Sequence, residues 1–392
     1  LEVTNARNGI SGISDADLKQ LIIGIKEQTS ARPDHGLGYG MLRYLNKETS
    51  AKLASENKAQ IAFNYLGRFP AGAGGAWSAA PFFGGMRGGF DPATPLAHML
   101  SIDCQAIEEE KGFCLHTEFG FASRHLSEKE IAEFKTLWEE ALIRLAAHGN
   151  WSKAGGQSPS DFPLAAVSHA DVDLLVERYG GLLSTVWPLT GLQSGLLFHA
   201  LMDAETGEDA YKVQTVVSLD DPVDVQRLEA SLQALVARHA PLRAVFCHEG
   251  LRDPVQVILS KVELPFEQVD LSKAEHPEAE LDRFLLEDRK IRFDLAQGPL
   301  LRVCLVKRPD GGAWLVLTNH HILLDGWSLP VLMRELKEIY EAGGAGALPP
   351  VTPFDRYLGW LQQQDKTAAK AAWQEALSGL EEPTRLAASV YG

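Results

Sequence analysis

A stretch rich in glycine, serine and proline divides the sequence into two blocks, and this division constrains the fold more than any other feature. The stretch lies within residues 149–163 and contains Gly155-Gly156-Gln157-Ser158-Pro159-Ser160-Asp161, a composition typical of a linker or loop. On both sides of it, segments with strand-like alternation mix with segments of helical periodicity. The pattern therefore predicts two blocks of mixed α/β structure within the 392 residues.

The first block places strands between two helices. Apolar residues recur at three- and four-residue spacing over Asp15–Glu27, which predicts a helix. Ser127 and Glu130 fit a capping box that opens a second helix. The predicted strands are Ile61–Gly67, expected to be short and buried, and the hairpin formed by Leu100–Gln105 and Phe113–Phe119.

The second block follows the same mixed pattern. Tyr211–Leu219 alternates as a strand does, and the apolar residues between Val225 and Val236 are spaced for an amphipathic helix. Leu300–Val306 and Trp314–Thr318 predict two strands joined by a turn, and Leu329–Tyr340 predicts a helix. Three aromatic residues of this block are expected in its core, namely Trp187, Phe198 and Trp360.

The charge balance excludes some classes of partner. The chain has 37 Lys and Arg against 52 Asp and Glu, a net charge of −15. A nucleic-acid binder needs a basic surface, so we expect no nucleic-acid partner and no anionic membrane partner. No apolar run is long enough to span a bilayer and no signal peptide is visible, which favours a cytoplasmic location.

The cysteines and the N-terminus carry two further expectations. Cys104, Cys114, Cys247 and Cys304 lie far apart and not at metal-ligand spacing beside histidine, so we expect reduced thiols and no metal site. The sequence begins at Leu1-Glu2-Val3-Thr4 without a methionine. We therefore expect it to be a piece of a longer protein.

The strongest chemical signal is Asn319-His320-His321-Ile322-Leu323-Leu324-Asp325-Gly326-Trp327-Ser328, directly after an apolar strand. A neutral histidine at the end of a buried strand can accept a proton from an attacking amine or hydroxyl. Asp325 can order the following turn by accepting backbone or arginine hydrogen bonds. Gly326 predicts a tight turn that a side chain would obstruct. Two adjacent histidines after a strand are also compatible with a purely structural or solvated role.

The motif His320-His321-x-x-x-Asp325-Gly326 resembles the HHxxxDG motif of the condensation domains of nonribosomal peptide synthetases. Four further segments resemble motifs of this family in the same order. They are Trp187–His199, Arg238–Phe246, Phe293–Arg302 and Tyr357–Leu361. The form Asp325-Gly326-Trp327-Ser328 is similar to the subtype that accepts a donor ending in a D-residue.

The first block resembles a different domain of the same synthetases. Pro33–Leu45 and Phe63-Asn64-Tyr65-Leu66-Gly67 are similar to late motifs of epimerization domains. Both families have a chloramphenicol acetyltransferase-like fold of two lobes with a tunnel between them. The resemblance implies an α/β (α+β sandwich) chain of two half-domains. Residues 1–148 would be the C-terminal lobe of an epimerization domain, 149–184 an interdomain linker, and 185–392 the N-terminal lobe of a condensation domain.

The resemblance also implies roles for individual residues. His321 would be the catalytic histidine, which positions or deprotonates the acceptor amine. His320, Asp325, Gly326 and Arg243 would be structural, and the arginine that pairs with Asp325 is either Arg243 or a residue of the absent lobe. On the epimerization side, the residues expected at the tunnel are Asn64 and Tyr65, for which strand packing is the alternative.

The resemblance further predicts the partners. These would be peptidyl and aminoacyl carrier proteins and the adjacent synthetase domains, including the missing lobes. We expect no cofactor on this chain, since phosphopantetheine belongs to the carrier domains. Without its complementary lobes the chain is expected to be inactive alone. The alternatives are a non-catalytic linker or exchange unit, a carrier-protein docking piece, and a stand-alone acyltransferase that uses an acyl thioester.

Overall fold

The computed structural model describes residues 12–55, 59–69, 97–109, 112–151, 156–202 and 210–381. The chain divides into two compact units, Leu1–Gly156 and Gln157–Gly392. Helices and strands are mixed in both, which confirms the predicted α/β class. The chain ends, on which the expectation of a longer protein rests, lie outside the described residues. The boundaries at 148 and 184 stay a prediction.

The first unit is built on a sheet in the order β1-β2-β3, in which β1 runs parallel to β2 and β2 runs antiparallel to β3. The predicted helix, hairpin and capping box are confirmed, since Ser127 and Glu130 satisfy each other's backbone N–H groups. The elements are α1 (Asp15–Ser30), α2 (Leu37–Gly40), α3 (Lys47–Ala54), β1 (Ile61–Phe69), β2 (Leu100–Glu109), β3 (Gly112–Phe121) and α4 (Glu128–His148).

Helix α4 covers one face of this sheet. The ring of Phe119 on β3 lies 5.9 Å from Phe134 and 6.3 Å from Trp138, both at edge-to-face angles. Leu100, Ile102 and Cys104 of β2 are buried beneath these rings. Their alternation with partly exposed residues is that of a sheet packed on one side.

The burial predicted for the strand at 61–67 is wrong, although the strand itself is confirmed. β1 is an edge strand and pairs only with β2 in the described part of the chain. Phe63 and Tyr65 are 60% and 49% exposed. Phe63 still contacts Trp138, at 6.1 Å between the ring centres. An apolar sequence therefore marks a strand here, but no described element covers most of it.

The described residues of the second unit form two sheets, ordered β5-β10-β9-β8 and β4-β7-β6. Its strands are β4 (Leu183–Pro188), β5 (Lys212–Leu219), β6 (Ala244–Cys247), β7 (Val255–Leu259), β8 (Phe266–Asp270), β9 (Leu301–Lys307) and β10 (Ala313–His320). Its helices are α5 (His169–Tyr179), α6 (Gly191–Met202), α7 (Val225–Arg238), α8 (Pro277–Lys290), α9 (Ser328–Ala342), α10 (Phe354–Gln362) and α11 (Lys366–Ala376).

The core of this unit includes residues from the segment that precedes β4. Phe162, Val172 and Leu175 are buried and belong to the same apolar cluster as the strands. The aromatic predictions have mixed outcomes. Trp187 is buried, as expected. The predicted burial of Phe198 and Trp360 is wrong, because their faces of α6 and α10 are not covered by the described part of the chain and leave them 59% and 56% exposed.

A buried carboxylate fastens α8 to the larger sheet. Asp288 accepts hydrogen bonds from Arg302 on β9 at 2.6 Å, from Thr318 on β10 at 2.7 Å and from Gln214 on β5 at 2.8 Å. Burial by itself would raise the pKa of Asp288, but these hydrogen bonds and the Arg302 charge outweigh it and lower the pKa. The ionised carboxylate therefore holds three neighbouring strands to one helix.

Candidate active site

Strand β10 fixes the position of the two histidines. It pairs with β5 on one side and β9 on the other, and all of its residues except Trp314 are buried. The backbone N–H of His320 donates to the carbonyl of Leu300, and that of His321 donates to the carbonyl of Tyr211 at 2.7 Å. Both histidines are therefore anchored by their main chains at the end of a strand held on both sides.

The two histidine rings have different surroundings. His320 is fully buried, and its Nδ1 accepts the backbone N–H of Ile322 at 3.1 Å. The ring of His321 is partly exposed, and its Nδ1 lies 2.7 Å from the carbonyl oxygen of Leu324. Because a carbonyl only accepts, Nδ1 of His321 carries the proton.

The tautomer of His321 leaves a basic nitrogen available. With the proton on Nδ1, the neutral ring has its lone pair on Nε2. This nitrogen has no hydrogen-bond partner among the described residues. His321 can thus accept a proton from a group that approaches Nε2, whereas the buried ring of His320 orders the turn. This geometry matches the roles that the sequence analysis assigns to the two residues, which stay predictions.

Asp325 orders the start of α9. Its Oδ1 accepts from the backbone N–H of Ser328 at 2.9 Å and from the Ser328 hydroxyl at 2.6 Å. These hydrogen bonds from Ser328 lower the pKa of Asp325 despite partial burial, so its carboxylate is ionised at neutral pH. Asp325 therefore fixes the backbone at the end of the turn formed by residues 320–325, the histidine turn.

Arg243 does not pair with Asp325 in this structure. Its guanidinium donates to the carbonyl of Leu259, and it forms no ion pair with any described residue. Burial lowers the pKa of Arg243. The sequence left two candidates for the arginine that pairs with Asp325, namely Arg243 and a residue of the absent lobe. In this structure Arg243 is not that partner.

The structure leaves room for a side chain at Gly326, where the sequence predicted an obstruction. A Cβ added at this position would meet no atom within 4 Å, and its φ is not among the positive values. The predicted steric obstruction at this turn is therefore wrong for the part of the chain that the structure describes. The space beside Gly326 is open.

One charged cluster near the site was missed by the sequence analysis. Glu335 on α9 accepts from Arg238 at 2.8 Å and lies 2.7 Å from His239 Nε2. Burial would raise the pKa of Glu335, but the hydrogen bonds from His239 and Arg238 outweigh it and lower the pKa. The adjacent Arg-His pair in the sequence was a signal of this cluster, but its acidic partner lies almost 100 positions away.

Two cavities lie near the histidine turn. The larger, about 850 Å³, has the fully buried His320 in its lining together with Tyr179 and His248. The smaller, about 350 Å³, is lined by Asp325, Trp327 and Gln193 among others. His320 at the start of the turn therefore lines one cavity, and Asp325 at its end lines the other.

The first unit holds its predicted site residues on the exposed edge strand. Asn64 Nδ2 donates to Asp103 Oδ1 at 3.3 Å, directly across the β1–β2 pair. Tyr65 is about half exposed. Neither is enclosed by the described residues. Among those residues there is also no group of three or more His, Cys, Asp or Glu side chains that could hold a metal ion.

Comparison with known proteins identifies the class. The family model described as "Condensation domain" matches residues 184–390, slightly more than half of the chain. The chain therefore belongs to the condensation domain family, which confirms the resemblance of its second block.

Curated relatives align with nearly the whole chain. It is 35% identical over 377 residues to a linear gramicidin synthase protein of Brevibacillus parabrevis, an alignment that covers 94% of this chain and 7% of that protein. It is 34% identical over 375 residues to bacitracin synthase 3 of Bacillus licheniformis, with 94% and 6% covered. The chain thus spans less than a tenth of the length of these relatives.

Solved structures of condensation domains are also similar. One is a starter condensation domain of rhizomide synthetase, with a TM-score of 0.48, 20% identity and coverage of 57% of this chain and 50% of that one. Another is the first condensation domain of the calcium-dependent antibiotic synthetase, with a TM-score of 0.45, 21% identity and coverage of 51% and 50%. Separately, the described helices are all too short or too polar to cross a membrane.

Proposed function

We propose that the second unit catalyses peptide-bond formation between two thioesters, with His321 as the base. The observation that carries this proposal is the hydrogen bond from His321 Nδ1 to the Leu324 carbonyl, because it leaves the lone pair on Nε2. Membership of the condensation domain family supports it. The relatives named as gramicidin and bacitracin synthases support the same chemistry for the parent protein.

The reaction is an acyl transfer. The amine of an aminoacyl thioester attacks the carbonyl carbon of a peptidyl thioester, an N–C bond forms, and the C–S bond breaks. The proton lost by the amine passes to Nε2 of His321 and then to the departing thiolate. Holding the two reactants together provides most of the acceleration, and the base adds to it.

Asp325 and Arg243 support this site from the backbone side. The ionised Asp325 holds Ser328 at the start of α9, which fixes the far end of the turn that contains the Leu324 carbonyl. Arg243 holds the Leu259 carbonyl at the end of β7. In this proposal neither touches the reacting groups, and the open space at Gly326 is a route for substrate.

The donor would end in a D-residue. The sequence Asp325-Gly326-Trp327-Ser328 resembles that subtype, and the Trp327 side chain is 87% exposed beside the turn. The first unit would be the C-terminal lobe of the epimerization domain that produces this donor, with Asn64 and Tyr65 on its tunnel side. That part of the proposal rests on the motif around Asn64 and on the order of the two units along the chain.

The substrates would arrive on carrier proteins. Both thioesters would be attached to phosphopantetheine arms that belong to those carriers, and the chain itself would supply only the reaction site. The adjacent lobes of the synthetase would complete the tunnel walls. We therefore propose that the chain is inactive alone and active when its complementary lobe is present.

The test is a condensation assay with a peptidyl donor and an aminoacyl acceptor, each on a carrier protein. The chain is assayed alone and as part of a complete condensation domain. We expect product only from the complete domain, and at least about tenfold faster with a donor that ends in a D-residue than with its L-counterpart. Product at equal rates from both donors would contradict the D-donor assignment.

The remaining outcomes separate the alternatives. Product from the chain alone would show that one lobe suffices. If the complete domain binds the loaded carriers but forms no peptide bond, the catalytic proposal fails and a docking role is favoured.

A further inference from the structure

Two glutamine side chains, the partly buried Gln193 and the buried Gln256, connect the histidine turn to the rest of the second unit. Gln193 lies in the first turn of α6, and its Nε2 donates to the carbonyl of Ile322 at 3.4 Å. Gln256 on β7 donates to the Pro188 carbonyl at 2.7 Å and to Gln193 Oε1 at 3.3 Å. A path of hydrogen bonds therefore runs from the end of β4 through both amides to the residue that follows His321.

Gln256 is polar where its strand is otherwise apolar. It is 1% exposed, and its neighbours Val255 and Val257 are buried as well. An amide buried in this way costs free energy unless its polar atoms are hydrogen-bonded. Its Nε2 has two acceptors, the Pro188 carbonyl and Gln193 Oε1, and this pairing fixes the position of the Gln193 amide.

The orientation of the Gln193 amide follows from its hydrogen bonds with Thr190. Its Oε1 accepts the backbone N–H of Thr190 at 2.9 Å, and its own backbone N–H donates to Thr190 Oγ1 at 3.2 Å. This is the reciprocal arrangement of a capping box. Since a backbone N–H only donates, the oxygen of the amide must face Thr190. The NH₂ group is therefore directed to Ile322 and Gln256.

The backbone of the turn is what sets the His321 ring. The Leu324 carbonyl lies 2.7 Å from Nδ1 of His321, and Ile322 lies between the two residues. On its other side, the Ile322 N–H donates to His320 Nδ1. A change at the Ile322 carbonyl therefore moves the peptide that joins His321 to its acceptor.

We infer that Gln193, supported by Gln256, is a positioning residue for His321. It holds the Ile322 carbonyl so that the turn keeps the Leu324 oxygen on Nδ1 and presents Nε2 in one direction. The effect on catalysis rests on the proposed function, whereas the effect on the ring itself does not.

The direct test is nuclear magnetic resonance of the histidine ring nitrogens in the whole chain. Gln193→Glu keeps the oxygen that accepts from Thr190 and removes the NH₂ that donates to Ile322. Gln193→Met removes both contacts at similar length. Thr190→Ala is the matched control, because it weakens the cap of α6 without touching Ile322. His321→Gln assigns the signals.

The expected result is that both Gln193 variants shift the ¹⁵N and ring ¹H signals of His321 and that Thr190→Ala leaves them in place. Because Gln193→Glu retains part of the cap, it reports on the turn even where Gln193→Met does not fold. Unchanged His321 signals in a folded Gln193→Glu chain would overturn the inference. So would an equal shift in Thr190→Ala.

The kinetic test uses the complete condensation domain. Gln193→Glu should lower kcat about 10- to 100-fold while KM changes less than about twofold, because a small displacement of a base weakens the reaction step more than binding. Thr190→Ala should keep kcat within about twofold. Equal losses in the two variants would mean a structural role only and would overturn the inference. If the unaltered domain forms no peptide bond, the proposed function fails, and the spectra alone decide the role of Gln193.

Discussion

The two units bury their sheets to very different extents. In the second unit, all of β7 and all of β10 except Trp314 are buried, so apolar layers cover both faces. In the first unit, β2 buries alternate residues and β1 is mostly exposed. A side chain at the end of a strand covered on both faces has one position, whereas a side chain on an exposed edge strand is less constrained. This difference means that the backbone at His321 is more tightly constrained than that at Asn64 or Tyr65.

The largest expected difference between the units is the loss of unfolding free energy when one carboxylate is removed from each. The carboxylate is buried in the second unit and its hydrogen bond is exposed in the first. Asp288→Ala removes the buried carboxylate that accepts from Arg302, Thr318 and Gln214, so the second unit should lose about 3–5 kcal/mol of unfolding free energy. Asp103→Ala removes only an exposed hydrogen bond with Asn64 in the first unit and should cost about 0.5 kcal/mol or less. Hydrogen exchange in denaturant, resolved by peptide, measures each unit. Equal losses would contradict the comparison.

Removal of an apolar side chain from a strand should also destabilise the second unit more than the first. Leu315 on β10 is 2% exposed, and Leu315→Ala should destabilise the second unit by about 2–5 kcal/mol through lost burial and a cavity. Leu115 on β3 is 45% exposed, and Leu115→Ala should change the first unit by about 0.5 kcal/mol or less. Denaturant titrations of the two variants decide this. A large loss from Leu115→Ala would show that β3 is covered in solution.

The acid sensitivity of the second unit should depend on Asp288. Burial by itself raises the pKa of Asp288. The hydrogen bonds from Arg302 and Thr318 lower this pKa by more than burial raises it, so the folded pKa lies below the ordinary value of 3.8. The ionised group therefore stabilises the fold above about pH 4, and this stabilisation is lost as the pH falls towards the folded pKa. Unfolding measured between pH 7 and pH 3 should be less pH-dependent in Asp288→Asn.

The control for this pH dependence is Asp282→Asn on the exposed side of α8. It should retain the acid sensitivity of the unaltered chain. If Asp288→Asn kept the same pH dependence as that control, the assignment of the lowered pKa to Asp288 would be wrong.

The smallest expected effect lies at the start of α4, which covers the sheet of the first unit. Ser127→Ala removes one half of a capping box and should cost this unit about 1 kcal/mol. Thr136→Ala on the same helix leaves the cap intact and should cost less. Hydrogen exchange at the N-terminal turn of α4 distinguishes them. Identical protection in both variants would mean that the cap contributes nothing to this unit.

Local signals in the sequence predicted much of the fold. The β9–β10 hairpin, the amphipathic α7 and the capping box at Ser127 all depend on residues close together in the chain. Exposure was harder to predict, since the apolar pattern of β1 shows a strand but not whether a second layer covers it. The errors at Phe198 and Trp360 have the same origin, because the described residues leave uncovered the faces of α6 and α10 that carry them.

The site was predictable in its motif but not in its contacts. The pattern of His321 and Asp325 is local, so the sequence showed it. The proton on Nδ1 depends on the direction of the Leu324 carbonyl, and Arg243 donates to the Leu259 carbonyl on β7, 16 positions away in the chain. Such contacts are set by the packed backbone. The Gln193–Gln256 pair spans 63 positions and had no local signal.

The most direct test of the central claim is the rate of peptide-bond formation after His321→Ala in the complete condensation domain, with His276→Ala as an exposed-histidine control. The claim predicts a fall of about 10²- to 10⁴-fold for His321→Ala, because a general base is lost, and an unchanged rate for His276→Ala. A rate for His321→Ala within about twofold of the unaltered domain would contradict the assignment of His321 as the base.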